Sequence, residues 1–387
     1  MVRWKQGDHM DFYRDTFIEI NLDAVRHNIE NLRHHFYHEL EILAVVKADA
    51  YGHGAVMVAK ELMSIGVNRF AVATIDEAIE LRLNGIDEPI LIFGSVAINH
   101  LDVVSKYHLS ITANSIEWLK KALENPQAIP INVEIKIDSG MNRFGFSDQK
   151  EFLEAVSALT HDSHFCLEGI YSHLATSEEA DDTYYQYQIQ RFESLIKPID
   201  KTGLLIHIGN SAGSIKTPPP FVNMVRVGLF LNGVCPGPNV LLPFQLEPSL
   251  SLYSKIVQIK KVPAHTKISY NGIYETTKET IIATVSIGYA DGYDRRMQAG
   301  LVYVANHYAK VVGRICMDSI MVELEDLVPE GTIVELIGPH ITIDQYCIWV
   351  NTNNYHATCA FTDRLPRVYK RGNKIIAITN RRLKFQI

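Results

Sequence analysis

Residues 42–54 read ILAVVKADAYGHG. Five apolar side chains, Ile42 to Val46, run into one cation, Lys47, and then into the turn Tyr51-Gly52-His53-Gly54, which opens an amphipathic helix. An apolar run bounded by turn residues and followed by a helical period reads as a buried parallel strand joined to its covering helix. An unpaired ammonium is costly to bury. Lys47 is therefore either a strand-end lysine that snorkels to solvent or a Schiff-base lysine made nucleophilic by a pocket that lowers its pKa. The stretch by itself leaves both open.

The same unit repeats outward. Strands are expected at Leu43–Ala48, Arg69–Ala73, Ile90–Gly94, Leu109–Ala113, Asn132–Asp138, Leu167–His173, Leu204–Gly209 and Met224–Leu229. Helical patterns follow most of them, including Ile75–Asn84, Ser115–Leu123, Gln149–Leu159 and Asp182–Leu195; none is assigned between the third and fourth strands. Strands alternating with helices predict parallel βαβ units. Eight of them predict a closed (β/α)8 TIM-type barrel, an α/β fold, placed at residues 12–246. Before it, Phe17–Asn21 alternates as a short strand and Leu22–His35 has helical spacing. His34, His35 and His38 lie close together there, but no metal motif encloses them, and no metal is expected. Prolines 236, 238, 243 and 248 then punctuate a linker. Beyond it the pattern is mainly β over 247–387: strands at Leu252–Val262, Thr280–Ile287, Leu301–Val304, Lys310–Ile315, Ile320–Leu324 and Thr332–Ile337, with one helix near Ile343–Val350.

Composition excludes several functions. The chain of 387 residues is 47% hydrophobic and 21% charged, with 44 acidic against 37 basic residues and a net charge of −7. Neither nucleic acid nor an anionic membrane suits that charge. The five cysteines are widely spaced and form no CxxC pair, so neither a disulfide framework nor a zinc site is signalled. With an N-terminus that lacks an apolar signal region, the expected location is the cytoplasm.

In a barrel enzyme the chemistry lies at the C-terminal strand ends. Lys47 ends the first strand. In the fifth, Ile131, Val133, Ile135 and Ile137 occupy one face and Asn132, Glu134, Lys136 and Asp138 the other, so Lys136 is expected to point inward. Arg143 follows in the loop SGMNRFG. Two cations this close repel. Pairing of Lys136 with Glu134 or Asp138 is the simpler remedy; carbamylation, which reverses the charge of Lys136, is the other. His173 ends the sixth strand. Gly209-Asn210-Ser211-Ala212 follows the seventh, offering N–H groups and a hydroxyl to an anion. Arg226 and Gly228-Leu229 end the eighth. Lysines, arginines, a histidine and an anion-binding turn at one mouth suit a cofactor that carries a phosphate and an aldehyde, pyridoxal 5'-phosphate.

At these residues the chain resembles the alanine racemase family. AVVKADAYGHG is similar to its cofactor-attachment signature. KIDSGMNRFGF, LEGIYSHLAT, HIGNSAGS, NMVRVGL, KISYNGIY, IGYADGY and GRICMDS resemble further family blocks in family order. The resemblance spans residues 14–368. It implies a barrel followed by a β domain, and a homodimer whose sites draw on both subunits. It implies Lys47 as the imine lysine and one of two bases. Tyr270, otherwise a strand-end tyrosine before an Asn-Gly turn, becomes the opposite-face base, supplied by the other subunit. It implies Tyr51, Asn210, Ser211, Gly228 and Leu229 around the cofactor phosphate and Arg226 at the pyridine nitrogen, with His173 linked to Arg226 and Tyr270. Arg143 is implied to meet the substrate carboxylate, held by carbamylated Lys136, with Tyr289 and Met317 lining the substrate site. The implied role is D-alanine supply for peptidoglycan.

Two positions depart from the family pattern. Asn232 and Asp363 stand where many members have tyrosine. An aspartate at the second position repels a phosphate and suits a hydroxylated or cationic substrate, so a racemase of serine or a basic amino acid is the alternative. A decarboxylase of the same architecture is expected to carry a carboxylate, not Arg226, at the ring nitrogen. A non-catalytic cofactor carrier resembles the barrel alone and has no use for Tyr270.

Overall fold

The computed structural model describes residues 12–36, 40–216, 218–237 and 239–383. After a first strand, β1 (Phe17–Asn21), eight strands follow: β2 (Glu41–Val45), β3 (Arg69–Val72), β4 (Ile90–Ile92), β5 (Ser110–Ala113), β6 (Ile131–Lys136), β7 (Phe165–Tyr171), β8 (Leu205–His207) and β9 (Met224–Val227). All neighbours are parallel, in the order β8-β7-β6-β5-β4-β3-β2-β9. The seam between β8 and β9 is bridged at Asn223, whose N–H donates to Ile206 O at 3.1 Å. The Asn223 side-chain oxygen accepts from Ile206 N at 2.8 Å. The sheet is thus the expected TIM-type barrel, nearly closed.

The parity inferred for β6 holds. Val133 and Ile135 are fully buried, while Glu134 and Lys136 share the opposite face. Their partners in register on β7 are Gly169 and Tyr171, and Tyr171 is in turn opposite His207. At the other end of the barrel Arg69 on β3 bonds Glu168 on β7 at 2.8 Å, and Ser110 on β5 donates to the same carboxylate at 2.6 Å. Arg69 and Glu168 inside this barrel are therefore paired across it, as burial demands. A helix at Leu101–Lys106, entered through a 3-10 turn at Ile98–His100, stands where none is expected. Six residues are too few to display a 3.6-residue period.

The chain divides into two compact units. One holds residues 26–231 and 235–246; the other holds 232–234 and 247–383 and also takes in 12–25. The expected barrel start at residue 12 therefore differs from the structure. β1 lies in the second unit, antiparallel to β10 (Leu250–Val262) and parallel to Arg367–Arg371. Ile18 and Ile20 are buried there, and Lys370 pairs with Glu19. An alternating pattern shows that a strand exists but not which sheet receives it.

In the second unit the 13-residue β10 pairs with Thr280–Val285 through one half and Ile333–Ile337 through the other. Ile320–Leu324, His307–Val312 and Leu301–Val304 complete an antiparallel ring between these two. A helix occupies Ile343–Val350; a second, Asn354–Cys359, and the hairpin of Arg367–Arg371 with Lys374–Thr379 are additional to the expected set.

Candidate active site

β2 ends at Val45, three residues before the expected strand end at Ala48, because the chain turns at Lys47. Ala48, Asp49, Ala50 and Tyr51 all have left-handed backbone angles, φ 50–55° and ψ 42–48°. Each such residue costs about 1–2 kcal/mol when it carries a Cβ, so the turn must be held from outside. The Ala48 N–H donates to Glu77 Oε1 at 2.7 Å. Glu77 Oε2 accepts from Ala73 N and Thr74 N, closing the cap of the helix Ile75–Leu83. His53 donates from Nδ1 to the Ala50 and Tyr51 carbonyls at 3.0 and 2.9 Å. Asp49 Oδ1 accepts from Ala55 N. Strain kept in place this way concentrates at functional sites. Glu77, which sequence reasoning did not single out, holds this turn from a neighbouring helix.

The turn brings Tyr51 onto the end of β9. A Cβ added to Gly228 would lie 2.3 Å from the Tyr51 hydroxyl, so the approach requires glycine. Gly228 N donates to Ser211 Oγ at 3.0 Å. Tyr51, Ser211 and Gly228 thus meet at one point, with Leu229 buried beside them. Asn210 caps the short helix Ser211–Ile215: its Oδ1 accepts from Gly213 N and Ser177 Oγ. Hydroxyls and backbone N–H groups gathered around a glycine form a cradle suited to an anion.

Arg226, on β9, is buried and central. Its NH1 donates to His207 Nδ1 at 3.0 Å, and its NH2 to Ser172 O, Ile208 O and His173 Nδ1 at 2.8, 3.1 and 3.0 Å. The Nε–H bonds no described residue. Guanidinium nitrogens only donate, so both histidines must accept at Nδ1 and are neutral there. Burial, then the charge of Arg226, holds both well below the ordinary histidine range. For His173, Arg143, Lys136 and Lys47 add to this, which gathers four cations around one imidazole.

Lys136 is buried. Its Nζ donates to Ile137 O at 2.9 Å and lies 5.6 Å from the Tyr171 ring. Pairing with Glu134 or Asp138 does not occur. Glu134 is taken by His207 at 2.6 Å, and Asp138 caps its own loop through Gly140 N and Asn142 N. Burial, then Arg226, brings the Lys136 amine down to about 7, with Arg143 adding to the effect and Asp138 opposing it. Arg143 itself is exposed, its guanidinium over the Phe144 ring. His207 and Tyr171 escaped the sequence reading, although the parity that turned Lys136 inward extends to both through the register.

In the second unit Tyr270, Tyr289 and Met317 are exposed, at 67%, 40% and 52%. Their loops are packed on one another. Ser269 Oγ donates to Arg314 O at 2.7 Å, and Tyr289 N and Ala290 N donate to Cys316 O and Met317 O, each at 3.0 Å. Gly288 is tight against the same two carbonyls, where a Cβ would come within 2.4 Å. Three side chains, two of them phenols, are therefore presented together on this unit's surface. Asp363 is exposed and pairs with Arg381 at 3.5 Å. Asn232 is buried, and its carbonyl accepts from Ser249 N and Oγ. Among the described residues no group of His, Cys, Asp and Glu could hold a metal ion. His35 bonds Ile215 O instead, and His38 lies outside the described residues.

Comparison with known proteins agrees with this architecture. The alanine racemase N-terminal domain family matches residues 20–236 and the alanine racemase C-terminal domain family matches 249–369. Alanine racemase of Geobacillus stearothermophilus is 39% identical over 379 residues, 96% of this chain and 97% of that one. The crystal structure of alanine racemase from Bacillus anthracis is 36% identical, with a TM-score of 0.90 over 96% of this chain and 99% of its own. A histidine racemase from Leuconostoc mesenteroides is 26% identical, with a TM-score of 0.86 over 92% of this chain and 98% of its own. The chain belongs to the alanine racemase family.

Proposed function

We propose that this protein is a pyridoxal-phosphate-dependent racemase that interconverts L- and D-alanine and supplies D-alanine for peptidoglycan. The observation that carries the reading is the meeting of Tyr51, Ser211 and Gly228 at the end of the strand that bears Arg226. This anion cradle at Gly228 and the buried Arg226 lie two residues apart at the end of β9, where one cofactor could meet both. Tyr51, Ser211, Gly228 and Leu229 would hold the phosphate, with Asn210 shaping the turn. Arg226, with an Nε–H that no described residue takes, would face the ring nitrogen, and Lys47 would bind the aldehyde carbon. Bound cofactor supplies an electron-withdrawing ring conjugated to the substrate nitrogen, which makes the Cα proton removable.

The protein's own groups do the rest. Inverting Cα requires a proton taken from one face and returned on the other, hence two groups on opposite sides. Lys47 serves one face. Tyr270 of the partner subunit serves the other, and its exposure on its own unit, together with Tyr289 and Met317, supports a homodimer with shared sites. His173, neutral and fixed by Arg226, orients that tyrosine. Arg143 receives the substrate carboxylate. Lys136 holds Arg143 after its neutral amine adds to carbon dioxide, forming one N–C bond and releasing one proton, so that cation faces anion. An amine brought to about 7 is nucleophilic at neutral pH. Arg226 in place of a carboxylate disfavours decarboxylation and transamination. Asp363, engaged by Arg381, is already matched by a cation, which favours alanine over a basic substrate.

Chiral analysis of products from L-alanine, L-serine, L-lysine and L-histidine tests the reading. D-alanine should form fastest. Carbon dioxide without any D-amino acid would overturn it.

A further inference from the structure

Glu134 and His207 form a buried relay behind Arg226 that the racemase reading does not use. His207 Nε2 lies 2.6 Å from Glu134 Oε2, and His207 Nδ1 lies 3.0 Å from Arg226 NH1. All three side chains are buried, and each sits on a different barrel strand: β6, β8 and β9. Arg226 can only donate, so His207 must present a bare Nδ1 and carry its proton on Nε2. Glu134 is then the acceptor that makes this tautomer the stable one. The fold makes room for the carboxyl group. Gly169 is opposite Glu134 in register, and a Cβ there would come within 3.2 Å of the Glu134 carboxyl carbon. Tyr171 stacks on the His207 ring at 4.9 Å and 5°, so the imidazole cannot swing away to another partner.

We infer that Glu134 is a positioning residue for Arg226: it fixes the His207 tautomer, and His207 in turn fixes the direction of the guanidinium. Second-shell groups commonly orient a functional side chain in this way, by setting which imidazole nitrogen holds the proton. The effect on racemisation rests on Arg226 being the partner of the cofactor ring; the tautomer does not. His207, the middle of the relay, has no other hydrogen-bond partner on either nitrogen among the described residues.

The test compares Glu134→Leu with Glu134→Gln in the cofactor-loaded enzyme. Glutamine keeps an acceptor oxygen in place; leucine fills the space without one. Nitrogen-15 spectra of histidine-labelled protein should show His207 as Nε2–H in wild type and Glu134→Gln. Glu134→Leu should show a tautomer mixture, a shifted visible band of the bound cofactor, and kcat lower by about ten- to a hundredfold. Glu134→Gln should stay within a few-fold of wild type. His207 protonated on Nδ1 in wild type would overturn the inference even if no variant folds. So would equal losses of kcat in the two variants at equal cofactor content. Absence of racemisation in wild type with His207 as Nε2–H would sink the functional reading and leave the relay standing.

Discussion

The Ala48 N–H donates to Glu77 Oε1 at 2.7 Å, tying the residue after Lys47 to the helix that follows the next barrel strand. The same carboxylate caps that helix through Ala73 and Thr74. One side chain therefore stabilises a helix end and fixes the backbone that carries the lysine. Glu77→Ala should lower unfolding free energy by about 2 kcal/mol, from a lost cap and an orphaned N–H. On the proposed function, in which Lys47 is one of two bases, it should also reduce kcat by about tenfold. Urea denaturation and racemisation rates measure the two. Glu77→Gln, which retains one acceptor, should lose less of both.

The left-handed turn allows a sharper test. Ala48 is exposed at φ 50°, so its Cβ opposes the conformation and little else depends on it. Ala48→Gly should leave stability unchanged or raise it by up to about 1 kcal/mol, with relief of strain offsetting the greater freedom of the unfolded chain. Ala48→Val, branched at Cβ, should be less stable than wild type by more than about 1 kcal/mol. Thermal unfolding of the three proteins orders them; a valine variant as stable as wild type would show that the turn is not strained.

This turn also marks where sequence reading stops. The apolar run and the glycines after Lys47 predict a strand, a turn and a helix, and those are present. That four consecutive non-glycine residues would be left-handed was not legible, because the stabilising groups, Glu77 and His53, lie in other elements or read as ordinary residues. The barrel was legible because parallel strands covered by helices are continuous apolar runs. The sheet that receives β1 was not, since its pairing with Leu250–Val262 and Arg367–Arg371 is a long-range choice. Within the site, alternation along β6 turned Lys136 inward correctly. Its partner could not be read the same way, because His207 takes Glu134 from a strand some seventy residues on.

Lys136 predicts a pH dependence. Burial lowers its folded pKa from 10.5 to about 7, whereas the unfolded amine keeps its ordinary value. Between those values the unfolded state binds more protons, so stability rises with pH. The contribution is full above the unfolded pKa and is lost as pH falls through the folded one. Lys136→Met, which cannot be protonated, should therefore gain most over wild type near pH 6, on the order of 5 kcal/mol, with the gain vanishing toward pH 10. The comparison belongs in carbon-dioxide-free buffer. Added bicarbonate near pH 8 should stabilise wild type and leave Lys136→Met unmoved; equal responses would remove the carbamate.

The exposure of Tyr270 gives the strongest test of shared sites. Lys47→Ala should abolish racemisation, and Tyr270→Phe should lower it by about 10²–10⁴ through loss of one proton-transfer group. If each site combines Lys47 from one subunit with Tyr270 from the other, a mixed dimer of the two variants has one site with both defects and one with none. Unfolding and refolding an equimolar mixture makes about half the dimers mixed, each with one of two sites intact, so about a quarter of wild-type activity should return. If both residues of a site came from the same subunit, every site in the mixture would carry one defect and no activity would return. Recovery therefore decides between these arrangements even though neither variant is active alone.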